Sequence, residues 1–154
     1  MYIEELRNRS GNLPLIIVRP TLILLNDEGS ILMVKHHDNT WGLPGGMLEP
    51  GESVEDALKR ELREELDIKI NVNDLNHFQV FSDSRFYISQ LGADTHYIAI
   101  TYYTKQFKGK IKPDQVEVTD FGFFKPDEMP DQTMNMIKVI VKQFETSNHY
   151  KGVI

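Results

Sequence analysis

Three acids in one short run have the type and spacing to hold a cation: Glu61, Glu64 and Glu65 within Leu58-Lys59-Arg60-Glu61-Leu62-Arg63-Glu64-Glu65-Leu66. The run reads as helix. At roughly 100° per residue, Glu61 and Glu65 project about 40° apart, with Val54, Ala57 and Leu58 within about 60° of them. Two carboxylates therefore share a face with apolar side chains that must point inward, and Glu64 borders the same arc. Acids crowded on an inward face repel one another, and burying them without a partner is costly. A divalent cation resolves both problems. An acid- and arginine-rich helix is more often a solvated face held by i,i+4 pairs, but such a face would not carry its acids on the apolar side.

The residues before this helix strengthen a site reading. Gly42-Leu43-Pro44-Gly45-Gly46-Met47-Leu48-Glu49-Pro50-Gly51-Glu52 is a glycine- and proline-rich loop. Its glycines let backbone carbonyls approach a ligand or metal closely. Ser53 is suited to cap the helix, with Asp56 three residues on as a variant capping box. The helix should end near Leu66-Asp67, where Asp tolerates the left-handed conformation that glycine usually supplies.

At this spacing the chain resembles the Nudix hydrolase superfamily (MutT-like). The family box runs glycine, five residues, Glu, seven residues, Arg-Glu, an aliphatic, any residue, Glu-Glu, any residue, glycine, an aliphatic. Gly46, Glu52, Arg60-Glu61, Leu62, Glu64-Glu65, Asp67 and Ile68 occupy those positions. One position departs, with Asp67 where the family has glycine; that position ends the helix and carries no chemistry. The box covers residues 46–68. Outside it, a weaker resemblance extends to the strand before Trp41 and to Phe123-Phe124-Lys125-Pro126-Asp127-Glu128-Met129-Pro130.

The resemblance implies hydrolysis of a nucleoside diphosphate linked to another moiety, by attack of water at one phosphorus of the pyrophosphate. It implies magnesium, or manganese in its place, as the cofactor. A diphosphate is anionic and repels a nucleophile, and a cation held by hard carboxylate oxygens offsets that charge. By position, Glu64 and Glu65 become the principal metal ligands, Glu61 a further ligand or a supporting partner, and the carbonyl of Gly45 or Gly46 an added backbone oxygen. Glu52 and Arg60 are expected to pair, with Arg60 holding the loop against the helix and orienting the acids. Glu64 or Glu61 is the general base. Members of the family often add one acid from a later strand or loop. Glu117, placed against the aromatic pair Phe123-Phe124, is the candidate, with Asp120 second.

Other residues carry weaker signals. His36-His37 could touch a substrate phosphate or base but reads first as an ordinary strand end, and His77, His96 and His149 show no ligand spacing. Trp41 and the Met134–Met136 pair read first as packing. Tyr87, Tyr97, Tyr102 and Tyr103 could line a base pocket, although alternation sends at least half of the strand residues to the core. ADP-ribose hydrolases of the family tend to carry a proline downstream of the box, and none falls between Asp67 and Lys112 here. No coenzyme A signature is apparent. Nucleoside triphosphates, nucleotide sugars and dinucleoside polyphosphates all stay open as substrates. Some Nudix-like domains have become ligand-binding regulators, a change that shows as decay of the box acids; Glu52, Arg60, Glu61, Glu64 and Glu65 are all present. An RNA 5′-end hydrolase would call for a basic patch interleaved with aromatics.

Composition bounds these readings. The 154 residues suggest one domain, 1–154, with a sizeable core. Hydrophobic residues make up 40% and charged ones 26%, ordinary for a globular protein. A net charge of -6 argues against stable nucleic-acid binding; a small nucleotide is the expected partner, and a homodimer is compatible with it. The absence of cysteine excludes disulfides and thiolate metal sites and fits a reducing cytoplasm. The acidic start Met1-Tyr2-Ile3-Glu4-Glu5 lacks the apolar core of a signal peptide. The most apolar stretch, 13–25, is broken by Pro14, Arg19 and Pro20 and is too short to span a bilayer.

The elements that must position the acids follow from periodicity and turn signals. A short helix is expected over 2–9, a strand over 15–25 bent at Pro20, a turn at Asn26-Asp27-Glu28-Gly29 and a returning hairpin strand over 31–35. Beyond the box helix, strands are expected over 68–72, 78–81, 86–88, 97–107 (with Ile98, Ile100, Tyr102 and Thr104 on one face) and 116–124. A closing helix is expected over 127–146, with Pro130 splitting off its first residues. Strands around a central helix and closed by a terminal one suggest an α+β fold of the α/β/α sandwich type. The resemblance implies the same sandwich with a mixed β-sheet.

Overall fold

The computed structural model describes residues 1–89 and 93–154. In chain order the elements are α1 (Tyr2–Ser10), β1 (Leu15–Leu24), β2 (Ile31–His36), β3 (Trp41–Gly42), α2 (Val54–Leu66), β4 (Asn76–Phe81), β5 (Tyr87–Ile88), β6 (Thr95–Thr104), β7 (Val118–Phe124), α3 (Asn135–Glu145) and α4 (Asn148–Val153). Single 3-10 turns precede β4 and β5.

Period-2 alternation builds the sandwich. Along β1 and β2, Leu22, Leu24, Leu32 and Val34 pack with Leu58, Leu62 and Leu66 of α2, whereas Ile23, Ile31 and Met33 pack with Met136, Ile137, Ile140, Val141 and Phe144 of α3. The central strands are thus buried on both faces, with α2 on one side and α3 on the other. The strands form two sheets. In one, β1 runs parallel to β6, from Leu15 opposite Thr95 to Leu24 opposite Thr104, and β6 pairs antiparallel with β4 and β5. In the other, β2 pairs antiparallel with β3 and β7. The mixed sheet and the α/β/α layering are those expected from the sequence.

Several boundaries differ from the periodicity reading, each for a local reason. The strands β1 and β2 are joined by a tight turn in which the Asn26 side chain accepts from Glu28 and Ser30. Only Leu25 and Ile31 bridge, however, and the two strands then diverge into separate sheets. The expected hairpin is one rung long. β1 continues unbroken through Pro20 because it is an edge strand of its sheet, where a missing N–H is tolerated. Over 68–72 the alternation is real, with Ile68 and Ile70 buried. It makes one rung, Lys69 with Lys108, before Asn71 caps a 3-10 turn. The strand expected over 86–88 splits into the end of a 3-10 turn and the two-residue β5. β6 lies at Thr95–Thr104 and feeds both layers, with Tyr97, Ala99 and Tyr103 in the α3 core and Tyr102 in the α2 core. The closing helix begins only at Asn135, and turns occupy the segment around Pro130. No helix among the described residues is long and apolar enough to cross a membrane.

Candidate active site

Helix α2 is specified at both ends. The Ser53 side chain accepts from the Asp56 amide at 3.0 Å. Asp67 closes the helix in the left-handed region (φ 55°, ψ 32°), its amide donating to the Arg63 carbonyl and the Ile68 amide to that of Leu62. Both match the expectation. With the ends fixed, the apolar stripe Ala57, Leu58, Leu62 and Leu66 faces the core and carries Glu61 and Glu65 inward with it; each acid is only 7% exposed. Glu64 stands at the border, its side chain 58% exposed.

The glycine loop is pressed against this helix. Thr21 bridges Gly45, and the Gly46 amide donates to Pro20 O at 3.2 Å. Gly45 has φ 153°, and a β-carbon there would lie 2.2 Å from Pro20 O. At Gly46 a β-carbon would lie 2.2 Å from the Glu61 carboxyl carbon and 2.3 Å from its Oε1. Only hydrogen fits between that backbone and that acid.

Arg60 ties loop to helix. Its Nε and Nη2 donate to the two oxygens of Glu52 at 2.6 and 2.8 Å, and Nη2 also donates to Met47 O at 3.0 Å. Nη1 donates to Glu61 at 2.9 Å and to Glu64 at 3.4 Å. Glu52 in turn accepts from the Glu49 amide at 3.0 Å. The bond from Arg60 holds Glu52 below the usual carboxylate range, and that to Glu52 pushes the Arg60 guanidinium further up. The expected pair is present.

A third acid, Glu117, arrives from a distant part of the sequence. The amides of Lys112 and Asp114 donate to the terminal α2 carbonyls of Leu66 and Glu65 at 2.8 and 2.9 Å, groups a helix end leaves free. The Asp114 carboxylate then gathers the amides of Val116, Glu117 and Val118 at 2.9–3.1 Å. That turn delivers Glu117 to the helix. Glu61, Glu65 and Glu117 each offer a carboxylate oxygen, all within 4.8 Å of one another. Asp120 is not among them. It sits opposite Lys35 in the β2–β7 ladder and accepts from the Phe121 amide. Glu64 also lies outside the trio.

Three carboxylates this close cannot all stay ionised in a buried place. Burial pushes the Glu65 carboxyl well above the usual carboxylate range, aided by its bonds to Glu61 and Glu117, while the charge of Arg19 opposes the rise. Burial raises Glu61 as well, against the bonds from Glu65 and Arg60. A proton on Glu65, bonded toward Glu61 and Glu117, lowers the negative charge of the cluster in the metal-free protein. A divalent cation can replace that proton. The donor set fits one: hard carboxylate oxygens, two of them buried, beside the bare backbone of Gly45 and Gly46.

The trio lines a cleft of about 440 Å³ together with Gly45, Gly46, Met47, Arg19, His36 and Tyr97. His37, Met134 and Met136 also line it, as do Met1, Ile3 and Glu4 of the first helix. Burial, and next the charge of Arg19, hold the His36 imidazole below its ordinary value. Trp41 packs edge-on against Phe124 at 5.4 Å. Tyr103 and His149 bond to each other at 2.9 Å, Tyr87 reaches Asp94, and Tyr102 donates to Glu55. Of the four tyrosines, Tyr97 alone lines this cleft. In the sequence Arg19 shows only as an interruption of an apolar run. That interruption, a cation on the same face as Ile17, Thr21 and Ile23, is the signal that could have found it.

A sequence model of the NUDIX domain matches residues 17–143. The chain belongs to the NUDIX domain family. This Nudix hydrolase is 29% identical over 121 residues to the nucleoside triphosphatase NudI of Escherichia fergusonii, and 28% identical over 122 residues to that of an Escherichia coli strain, covering in each case 73% of this chain and 85% of the relative. Its fold resembles that of the MutT NUDIX hydrolase from Burkholderia pseudomallei, with a TM-score of 0.71 and 26% identity over 83% of this chain and 97% of the other. A Nudix family member from Chromobacterium violaceum, 20% identical, shares the fold with a TM-score of 0.67 over 89% and 83% of the two chains.

Proposed function

We propose that this Nudix hydrolase is a divalent-metal-dependent pyrophosphohydrolase that cleaves a nucleoside triphosphate at a phosphoanhydride. The observation that carries this reading is the buried trio Glu61, Glu65 and Glu117, with oxygens within 4.8 Å of one another in the wall of a cleft. Nucleoside triphosphates come first because the relatives at 27–29% identity are nucleoside triphosphatases; nucleotide sugars and dinucleoside polyphosphates follow. Glu61, Glu65 and Glu117 would hold the cation, with a carbonyl of Gly45 or Gly46 beside them and Glu64 as a further ligand. Magnesium is the proposed ion, with manganese able to replace it. When bound, it supplies charge neutralisation for the phosphates and a lower pKa for attacking water.

The chain's own residues supply the rest. Arg60, with both Glu52 oxygens in its grip, fixes the Glu61 carboxylate and keeps the glycine loop closed on the helix. Glu64, exposed to water and bonded by Arg60 Nη1, is the group proposed to accept the proton that water gives up, with Glu61 as the alternative. The new bond forms between the water oxygen and one phosphorus, the bridging phosphorus–oxygen bond breaks, and the second phosphate leaves as an anion. The test is a panel of nucleoside triphosphates, nucleotide sugars and dinucleoside polyphosphates with magnesium, scored by phosphate release after coupled phosphatase treatment. Turnover of triphosphates that stops in EDTA is the expected result. Silence across the panel would discard the reading in favour of a nucleotide-binding module.

A further inference from the structure

Arg19 stands in the middle of β1 and is only 9% exposed. Its Nε is buried and has no hydrogen-bond partner among the described residues. The guanidinium also enters none of the ion pairs found among them. A buried N–H of a guanidinium without an acceptor is costly, and an aliphatic residue at that place in β1 would avoid the cost. The charge is felt at Glu65 and at His36. Yet a counter-ion for Glu65 would be expected to bond it, and Glu65 bonds Glu61 and Glu117 instead. What Arg19 does face is the cleft that holds the acidic trio. The planar fork of a guanidinium matches the oxygens of a phosphate and keeps its charge at any working pH.

We propose that Arg19 is a substrate-binding residue of the hydrolysis, taking a phosphate oxygen of the nucleotide from the β1 wall of the cleft. This rests on the pyrophosphohydrolase reading above. The acids address phosphate only by way of a cation, whereas Arg19 addresses it directly. A substrate with more than one phosphate can engage both walls at once, which orients the chain of phosphates as well as holding it.

The test compares the parent with Arg19→Met and Arg19→Lys. Calorimetric titration in calcium buffer uses two probes, a methylene-bridged nucleoside triphosphate analogue and inorganic tripolyphosphate. Manganese affinity without nucleotide is measured by electron paramagnetic resonance, and kcat and KM are measured with the preferred panel substrate. Arg19→Met is expected to weaken both probes by about tenfold or more. KM should rise by the same factor, with kcat changed by less than about threefold and manganese affinity nearly unchanged. Arg19→Lys should recover part of the loss, since it restores charge without the fork. Unchanged affinity for tripolyphosphate overturns the proposal. So does a manganese shift large enough to account for the whole loss, which would make Arg19 a counter-charge for the acids. Should the methionine variant not fold, the lysine variant decides: weaker tripolyphosphate binding supports the proposal and parental binding overturns it. An enzyme silent on the whole panel that still binds tripolyphosphate through Arg19 would refute the activity and leave this site standing; full turnover with binding indifferent to Arg19 would do the reverse.

Discussion

Gly46→Ala isolates the contact between the loop and the Glu61 carboxyl. Gly46 does not occupy the left-handed region, so alanine brings a steric change and no backbone strain. Its β-carbon would start 2.2 Å from the Glu61 carboxyl carbon, which must withdraw by about 1.2 Å to reach an ordinary contact of 3.4 Å. The carboxyl is the end of a flexible side chain, but Arg60 Nη1 holds it at 2.9 Å while the same guanidinium is anchored on Glu52. Relief therefore comes by swinging Glu61 out of register rather than by opening the core. The stability cost should be about 1–2 kcal/mol, or about 2–8 °C in Tm. A misplacement of this size at the reacting centre should lower kcat/KM by about a hundredfold. Steady-state kinetics with the preferred panel substrate, alongside a thermal melt, separates the two effects. Gly45→Ala provides the contrast: its β-carbon would meet the Pro20 carbonyl, which cannot rotate away, so stability should fall further than for Gly46→Ala. Parental kcat/KM in a well-folded Gly46→Ala protein would refute the idea that this glycine sets the position of Glu61.

Three further outcomes follow from the same geometry. Glu64→Gln should abolish magnesium-dependent turnover with the fold intact, and its metal-free Tm should equal or exceed the parent's because a like charge is gone; full turnover would move the proton-accepting role elsewhere. In EDTA, the folded state holds the Glu65 proton to higher pH than the unfolded chain does. The stability from that neutral form is complete below the ordinary carboxylate range and is lost as pH rises, by at most about 1.4 kcal/mol per unit. Tm should therefore fall between pH 5 and 9 in the parent, remain flatter in Glu65→Gln, and be restored by magnesium; a parent and variant with parallel profiles would contradict the shared-proton arrangement. Arg60→Lys should cost about 1–2 kcal/mol by urea unfolding, since a lysine cannot grip both Glu52 oxygens and Met47 O together and the pair is partly exposed; unchanged stability and kcat/KM would show that loop and helix hold together without it.

The chemistry was the most legible part of this sequence because it is local. Ser53, Asp67 and the stripe Ala57–Leu58–Leu62–Leu66 determine which way Glu61 and Glu65 point, and all lie within 15 residues of one another. Glu117 could be named from its distance to Phe123-Phe124 but not placed, since its position depends on two amides meeting the far end of α2. The same dependence on distant partners explains the errors in the fold. Residues 68–72 alternate like a strand, but among the described residues Lys108 alone bridges them. β2 follows a turn of hairpin type, yet β7 and not β1 takes its edge. Arg19 went unrecognised for a related reason. A charge inside an apolar strand reads as noise until the opposite wall of the cleft is known.

The Arg60 knot divides the labour of the cleft. By bonding Glu52, Met47, Glu61 and Glu64 at once, it welds loop and helix into a single hydrolytic block that tolerates little rearrangement. His36, His37, Tyr97, Met134 and Met136 line the cleft from other elements and take no part in those bonds. Exchanges among these five would reshape the lining of the cleft while leaving every bond of the Arg60 knot in place.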